Sequence, residues 1–119
     1  MLQFSHKAGN ILHYEVRGRL TAADLRGYYT VIDRQYREYG KLRLLVEVHD
    51  FRGYENMGAL LVFLRREAGL LLKVQRYAAV TDKAWFRRLI NGLNYLIPGI
   101  SFRAFSQAKR AQALKWLSN

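Results

Sequence analysis

Cysteine is absent from this chain, proline occurs once (Pro98), and acidic residues are scarce: 9 Asp+Glu stand against 20 Lys+Arg, for a net charge of +11. Each shortage excludes something. Without cysteine there is no disulfide, no thiolate nucleophile and no Cys-ligated zinc or iron–sulfur centre. That fits a reducing interior and points to the cytoplasm. With a single proline and 50% apolar residues, the composition is not that of a disordered chain. Long apolar runs are missing too. The longest nearly uncharged one, Met57 to Leu64, ends at Arg65-Arg66-Glu67, whereas a bilayer span takes about 20 residues. Met1 to Lys7 lacks the basic start and apolar block of a secretory leader. A soluble chain of one domain, residues 1–119, is expected.

The charge excess favours acidic partners: acidic protein, anionic lipid or nucleic acid. The cations are spread from Arg17 to Arg110, with no run of five that would read as a binding tail. A solvated basic surface accounts for most of them. Nucleic acid is the weaker partner class, because no reading helix or stacking platform accompanies the charge.

Leu42 to Val48 is a short leucine- and valine-rich run, the composition of a strand packed on both faces. Asp50 and Gly53 break it. A helical pattern from Met57 to Val74 follows, with Met57, Leu60, Leu61, Leu64, Ala68, Leu71 and Leu72 on one face. Ala59, Phe63, Leu70 and Val74 form a second apolar stripe on another side. One sheet-facing stripe is enough for such a helix, so the second must meet a neighbouring helix of the same chain, an apolar ligand or a second subunit; self-association as a homo-oligomer, a dimer at the simplest, is the preferred assignment.

Upstream, Met1–Phe4 and Ile11–Val16 flank Gly9-Asn10 as a hairpin, and Gly18 is expected to end the second strand. Thr21 and Asp24 have capping-box spacing, opening a helix with Leu25, Tyr28, Tyr29, Ile32, Tyr36 and Tyr39 in one stripe. Gly40 stops it. Downstream, Tyr77–Thr81 reads as a buried strand, and Asp82 as the cap of a helix with Phe86, Leu89, Ile90, Leu93 and Ile97 inward. Arg87, Arg88, Asn91 and Asn94 lie outward, with Tyr95 among them. After Pro98-Gly99 comes a strand, Ile100–Phe105. Ser106 then caps a helix with Ala111, Leu114 and Leu117 inward. The order β-β-α-β-α-β-α-β-α predicts an α/β fold: a mixed, mostly parallel five-stranded sheet with four helices.

The signposts Gly18-Arg19-Leu20-Thr21, Gly40 to Glu47, Asp50-Phe51-Arg52-Gly53-Tyr54, Ala79 to Trp85, Phe102-Arg103-Ala104-Phe105 and Ala113 to Leu117 run nearly end to end. In this order they resemble the SpoIIAA-like family of STAS domains, also described as STAS/Sec14-like. The resemblance implies a small four-helix, mixed-sheet domain, commonly self-associating and without an established enzymatic role, that acts as a binding module. Relatives of the anti-anti-sigma type are phosphorylated on a serine in the turn before the second helix. Asp50 to Gly58 contains no Ser or Thr here, so that charge switch has no acceptor.

The carboxyl ends of parallel strands are where open α/β sheets bind ligands. That rim is expected to carry His49, Asp50, Phe51, Thr81, Asp82 and Lys83. An acid–base reading of His49 with the two Asp residues yields to turn and cap roles. No catalytic residue, cofactor motif or metal site is assigned: His6, His13 and His49 lie on different elements without H-x-x-x-H spacing. Phe51, Tyr54, Phe63 and Trp85, bordered by Lys83 and Arg88, would instead suit a small apolar or lipid-like anion. If the second stripe is an interface, polar substitution of Phe63 and Leu70 leaves a folded monomer. An unchanged mass in light scattering would contradict that role.

Overall fold

Five strands form one sheet in the spatial order β1-β2-β3-β4-β5, antiparallel at β1–β2 and parallel elsewhere. The structure, a computed structural model, describes residues 1–54 and 72–119. β1 (Leu2–Ala8) and β2 (Ile11–Leu20) meet in a hairpin whose two-residue turn is Gly9-Asn10. Gly9 sits at φ +60°, the left-handed backbone that a type II′ turn needs at its first position. Gly18 does not end β2. It takes φ +59° with register shifts on either side, so it is a bulge, and the strand resumes as far as Leu20.

The capping box forms as the sequence predicts. Thr21 Oγ1 accepts from Asp24 N and Asp24 Oδ2 accepts from Thr21 N, both at 3.0 Å, opening α1 (Ala22–Tyr39). Leu25, Tyr28, Tyr29 and Ile32 are buried, whereas Tyr39 at the end of the stripe is exposed. The aromatic content of this core is hydrogen-bonded inside it. Tyr14 Oη lies 3.0 Å from both Tyr28 Oη and Tyr77 Oη, and Phe4 stacks on Tyr28. Burial, with the neighbouring phenols adding to it, pushes the Tyr14 hydroxyl well above its ordinary value.

β3 (Leu42–Tyr54) is the central strand, and it continues through Asp50 and Gly53, where the sequence predicts a break. Its alternation feeds two cores: Leu44 and Val46 join the one under α1, and Leu45 joins the one on the opposite face. β4 (Val74–Val80) corrects the end of the expected long helix. Leu72 is in a turn and 73% exposed, and Val74 pairs with Leu42 at 3% exposure. Pairing with the central strand and full burial outweigh the helical spacing there. Val74 is therefore a core residue and not part of an outer stripe. The rest of the expected helix from Met57, including Ala59, Phe63 and Leu70, lies outside the described residues.

α2 (Ala84–Leu96), β5 (Ser101–Phe105), a 3₁₀ turn (Gln107–Lys109) and α3 (Arg110–Ser118) complete the described chain, which thus holds three helices. α1 and α2 cover one face, and α3 packs on the other through Ala113 and Leu117. Ala111, expected inward, is exposed, because the 3₁₀ turn shifts the phase of the helix that follows. The far end of α3 is pinned from the sheet. Arg43 Nη1 donates to Leu117 O at 2.8 Å and Arg76 Nη1 to Trp116 O at 2.7 Å. These arginines are register partners, two like charges held side by side by the carbonyl end of a helix.

Asn91 and Asn94 are exposed, as expected, and from there close the β5 edge. Asn94 Nδ2 donates to Phe102 O (2.6 Å), its Oδ1 accepts from Phe102 N (2.7 Å), and Asn91 Oδ1 accepts from Ala104 N (3.0 Å). Two side-chain amides thus take the place of a sixth strand and remove a template for edge pairing. Asn94→Ala strands both backbone groups of Phe102 and should cost about 1–3 kcal/mol in urea unfolding. A loss within error of zero would mean that water replaces the amide freely.

Candidate binding surface

The rim at the carboxyl ends of β3 and β4 is built from the expected residues, but they are tied to the fold. Thr81 is buried; its Oγ1 accepts from Lys83 N (3.3 Å) and its carbonyl from Arg87 Nη1 (2.8 Å). Asp82 does not cap α2, whose first turn has no side-chain cap; its Oδ1 accepts from Gln107 N at 3.0 Å and so caps the 3₁₀ turn. Lys83 is the N-cap residue of α2, and exposed. Asp50 takes φ +49°, a left-handed conformation that Asp tolerates better than most residues. Phe51 and Tyr54 are among the last residues of β3, in register with Gly18 and Leu20. Phe63 lies outside the described residues.

Below the rim, on the face that carries α3, lies a cluster that spacing in the sequence does not reveal. Glu15 and Glu47 are register partners on neighbouring parallel strands, and His49 follows two residues later on the same face. Ligating atoms of the three lie within 4.8 Å of one another. The charges there are already met. Glu47, 6% exposed, is ion-paired with Arg110, and Glu15 with Arg17 at 3.4 Å. His49 Nε2 lies 3.3 Å from Glu47 Oε2, and its Nδ1 lies 3.3 Å from Gln107 Nε2. That arrangement engages both ring nitrogens, and it clamps the 3₁₀ turn and α3 to the end of β3. His6 stacks on His13 at 4.7 Å beside this cluster. Burial, then the positive field of His6 and of Arg110, lowers the His13 pKa below its ordinary value.

Trp85 and Arg88, two expected ligand residues, come together on the outside of α2. Trp85 is 61% exposed, Leu89 one turn later 54%, and Tyr95 91%. The periodicity predicts Leu89 in the core; among the described side chains of α2 Ile90 is the one fully buried, with Phe86, Leu93 and Ile97 packed beside it. The exposed side is therefore wider than the periodicity of the sequence implied. A shallow groove of about 540 Å³ runs between this helix and β5, lined by Arg88, Asn91, Tyr95, Phe102 and Arg103 among others. Among the described residues no helix is long and apolar enough to cross a membrane.

A mixed five-stranded sheet with helices on both faces, a rim engaged in structural hydrogen bonds and an apolar helix flank in water define a small α/β domain of the SpoIIAA type. The family model described as SpoIIAA-like matches residues 11–118, and the chain belongs to that family. Among solved structures, it is similar to an uncharacterized protein with a SpoIIAA-like fold from Shewanella loihica PV-4. That likeness has a TM-score of 0.75 and 18% identity over 98% of this chain and 92% of the other. The anti-sigma factor antagonist SpoIIAA in its unphosphorylated form is also similar, with a TM-score of 0.63 and 10% identity over 100% of this chain and 99% of that one. At these identities the likeness concerns the fold. A search of curated proteins gives no match.

The His13 environment has a readable consequence. A histidine whose folded pKa is depressed binds fewer protons folded than unfolded, so stability is full above about pH 6.5 and falls as pH drops below it. Thermal melts between neutral pH and pH 5 should show that fall in the wild type and a shallower one in His13→Gln. Parallel curves would remove His13 as the cause.

Proposed function

We propose that this chain is a non-enzymatic binding module that engages an acidic protein through the outer flank of α2. The observation that carries the reading is the pair Trp85 and Leu89, large apolar side chains one turn apart and both more than half exposed. Exposed apolar surface of this kind on a small domain is characteristic of interaction sites, and tryptophan is among the commonest anchors. The net charge of +11 selects acidic partners over basic ones and speeds their encounter. A non-enzymatic role is supported by the rim, where Thr81, Asp82 and His49 are occupied in holding α2, the 3₁₀ turn and α3. The solved relative named as an anti-sigma factor antagonist is consistent with regulation by protein contact. The phosphoserine switch is not carried over, since Asp50 to Gly58 holds no Ser or Thr. Self-association through Phe63 and Leu70 belongs to the same proposal and is read from the mass in solution.

Immobilised wild-type protein should retain acidic proteins from a lysate in a salt-sensitive manner. Trp85→Ala with Leu89→Ser should lose that retention, about 2 kcal/mol or more of binding, while its circular dichroism and melting stay unchanged. Equal retention by the folded double variant would overturn the assignment of this flank.

A further inference from the structure

We infer, resting on the partner-binding reading of this flank, that the partner presents an amphipathic α-helix with an acidic border. That helix lies along the outside of α2, over Trp85 and Leu89, with a bulky side chain in the notch at Gly92.

Trp85, Leu89 and Gly92 follow one another at steps of four and three residues on the outside of α2. That is the spacing at which one helix lies against another along a continuous seam. Trp85 is held ready for contact: Phe86, packed on the core, meets its indole edge to face, with ring centroids 5.6 Å apart. Gly92 is the gap in the seam. It stands in the interior of a 13-residue helix, where glycine is unfavourable relative to alanine. Nothing among the described residues demands it, because a Cβ there would meet no atom within 4 Å. The missing side chain leaves a hole one turn from Leu89, which a bulky side chain of a second helix fits.

The opposite side of α2 is fixed. Ile90 is buried with Phe86 and Leu93 packed beside it, and the amides of Asn91 and Asn94 tie the helix to β5. A partner therefore meets a preformed surface, with no ordering of α2 on binding. The same contacts argue against an extended peptide on this flank. Strand addition needs an open sheet edge, and the neighbouring edge of β5 is taken up by the two amides.

Charge sets the partner's border. Arg87 is committed to Thr81 O at 2.8 Å, but Arg88 beside it is exposed, as is Lys83 at the start of the helix. Among the described residues neither Arg88 nor Lys83 has a carboxylate partner. The first turn of α2 holds no acidic residue, so the positive end of its dipole is uncompensated as well. Arg88 lies three residues after Trp85 and one before Leu89, on the border of the seam, and Lys83 lies at its end. Acidic residues along the partner helix complement both positions. A second copy of this chain does not, since two-fold pairing of the flank with itself brings these cations into one interface.

The probe is a designed peptide of about 18 residues, with leucine at the seam positions, one central phenylalanine and glutamate along both borders, unfolded when alone. Added to the full chain, it should give saturable fluorescence anisotropy, and circular dichroism of the mixture should show more helix than the sum of the parts. A peptide with lysine for glutamate, and one of the same composition shuffled out of the four-three spacing, should each bind about tenfold more weakly or worse. Trp85→Ala with Leu89→Ser should abolish binding. Gly92→Leu should weaken it about tenfold, and replacing the peptide's phenylalanine by alanine should restore it, a rescue that a misfolded variant cannot show. No saturable binding, equal binding by the shuffled peptide, or binding without a gain of helix would overturn the helical partner. So would full binding by folded Gly92→Leu. Capture of phosphatidylserine vesicles through Trp85, with no peptide binding, would make a membrane the occupant instead. If the peptide fails while retention of acidic proteins still depends on Trp85 and Leu89, the flank stands and only its helical occupant falls.

Discussion

Everything in this fold is hung on a strand that has to be covered twice. β3 is flanked on both sides by parallel neighbours, and its side chains alternate between two cores, Leu44 and Val46 on one face and Leu45 and Glu47 on the other. A strand of that kind cannot leave either face to water without exposing several large aliphatic groups. α1 and α2 bury the first face. Among the described residues the second receives α3, nine residues long. So short a helix has little intrinsic stability, and the sheet holds it at both ends. Glu47 and Arg110 hold its start, and Arg43 and Arg76 grip its last carbonyls.

This division explains where polar chemistry is used up and where it is left over. On the face shared with α3, Glu15, Glu47, His49 and Gln107 form a closed set of pairs, and the buried carboxylate of Glu47 has its compensating cation. The rim of the parallel strands is drawn into the same structural work. The outside of α2 is different. There Trp85, Leu89 and Tyr95 are left more than half exposed.

The edge strand is a second consequence of the same economy. Among the described residues β5 has no strand beyond it, and the amides of Asn91 and Asn94 stand in for one. In a helical wheel both asparagines look like solvated positions. Only the placement of α2 along the sheet border makes them part of the hydrogen-bonded framework. Asp82 shows the same limit. Its position before a helix is good grounds for a cap, yet the donor it meets belongs to a turn 25 residues later.

Read alone, the residues determined what depends on neighbours in sequence. The capping box at Thr21 and Asp24, the turn at Gly9-Asn10, the two-faced composition of Leu42 to Val48 and the β/α order all follow from local sterics and periodicity. The tertiary structure decided what depends on partners far apart in the chain. It carried β2 through a bulge at Gly18, made Val74 a core strand residue, left Leu89 in water, and set Glu15 beside Glu47. The reason is that periodicity reports which residues share a face, whereas the identity of the surface opposite that face is set by packing between elements. That is why the family fold was legible from the residues in order, and why the groove between α2 and β5 was not.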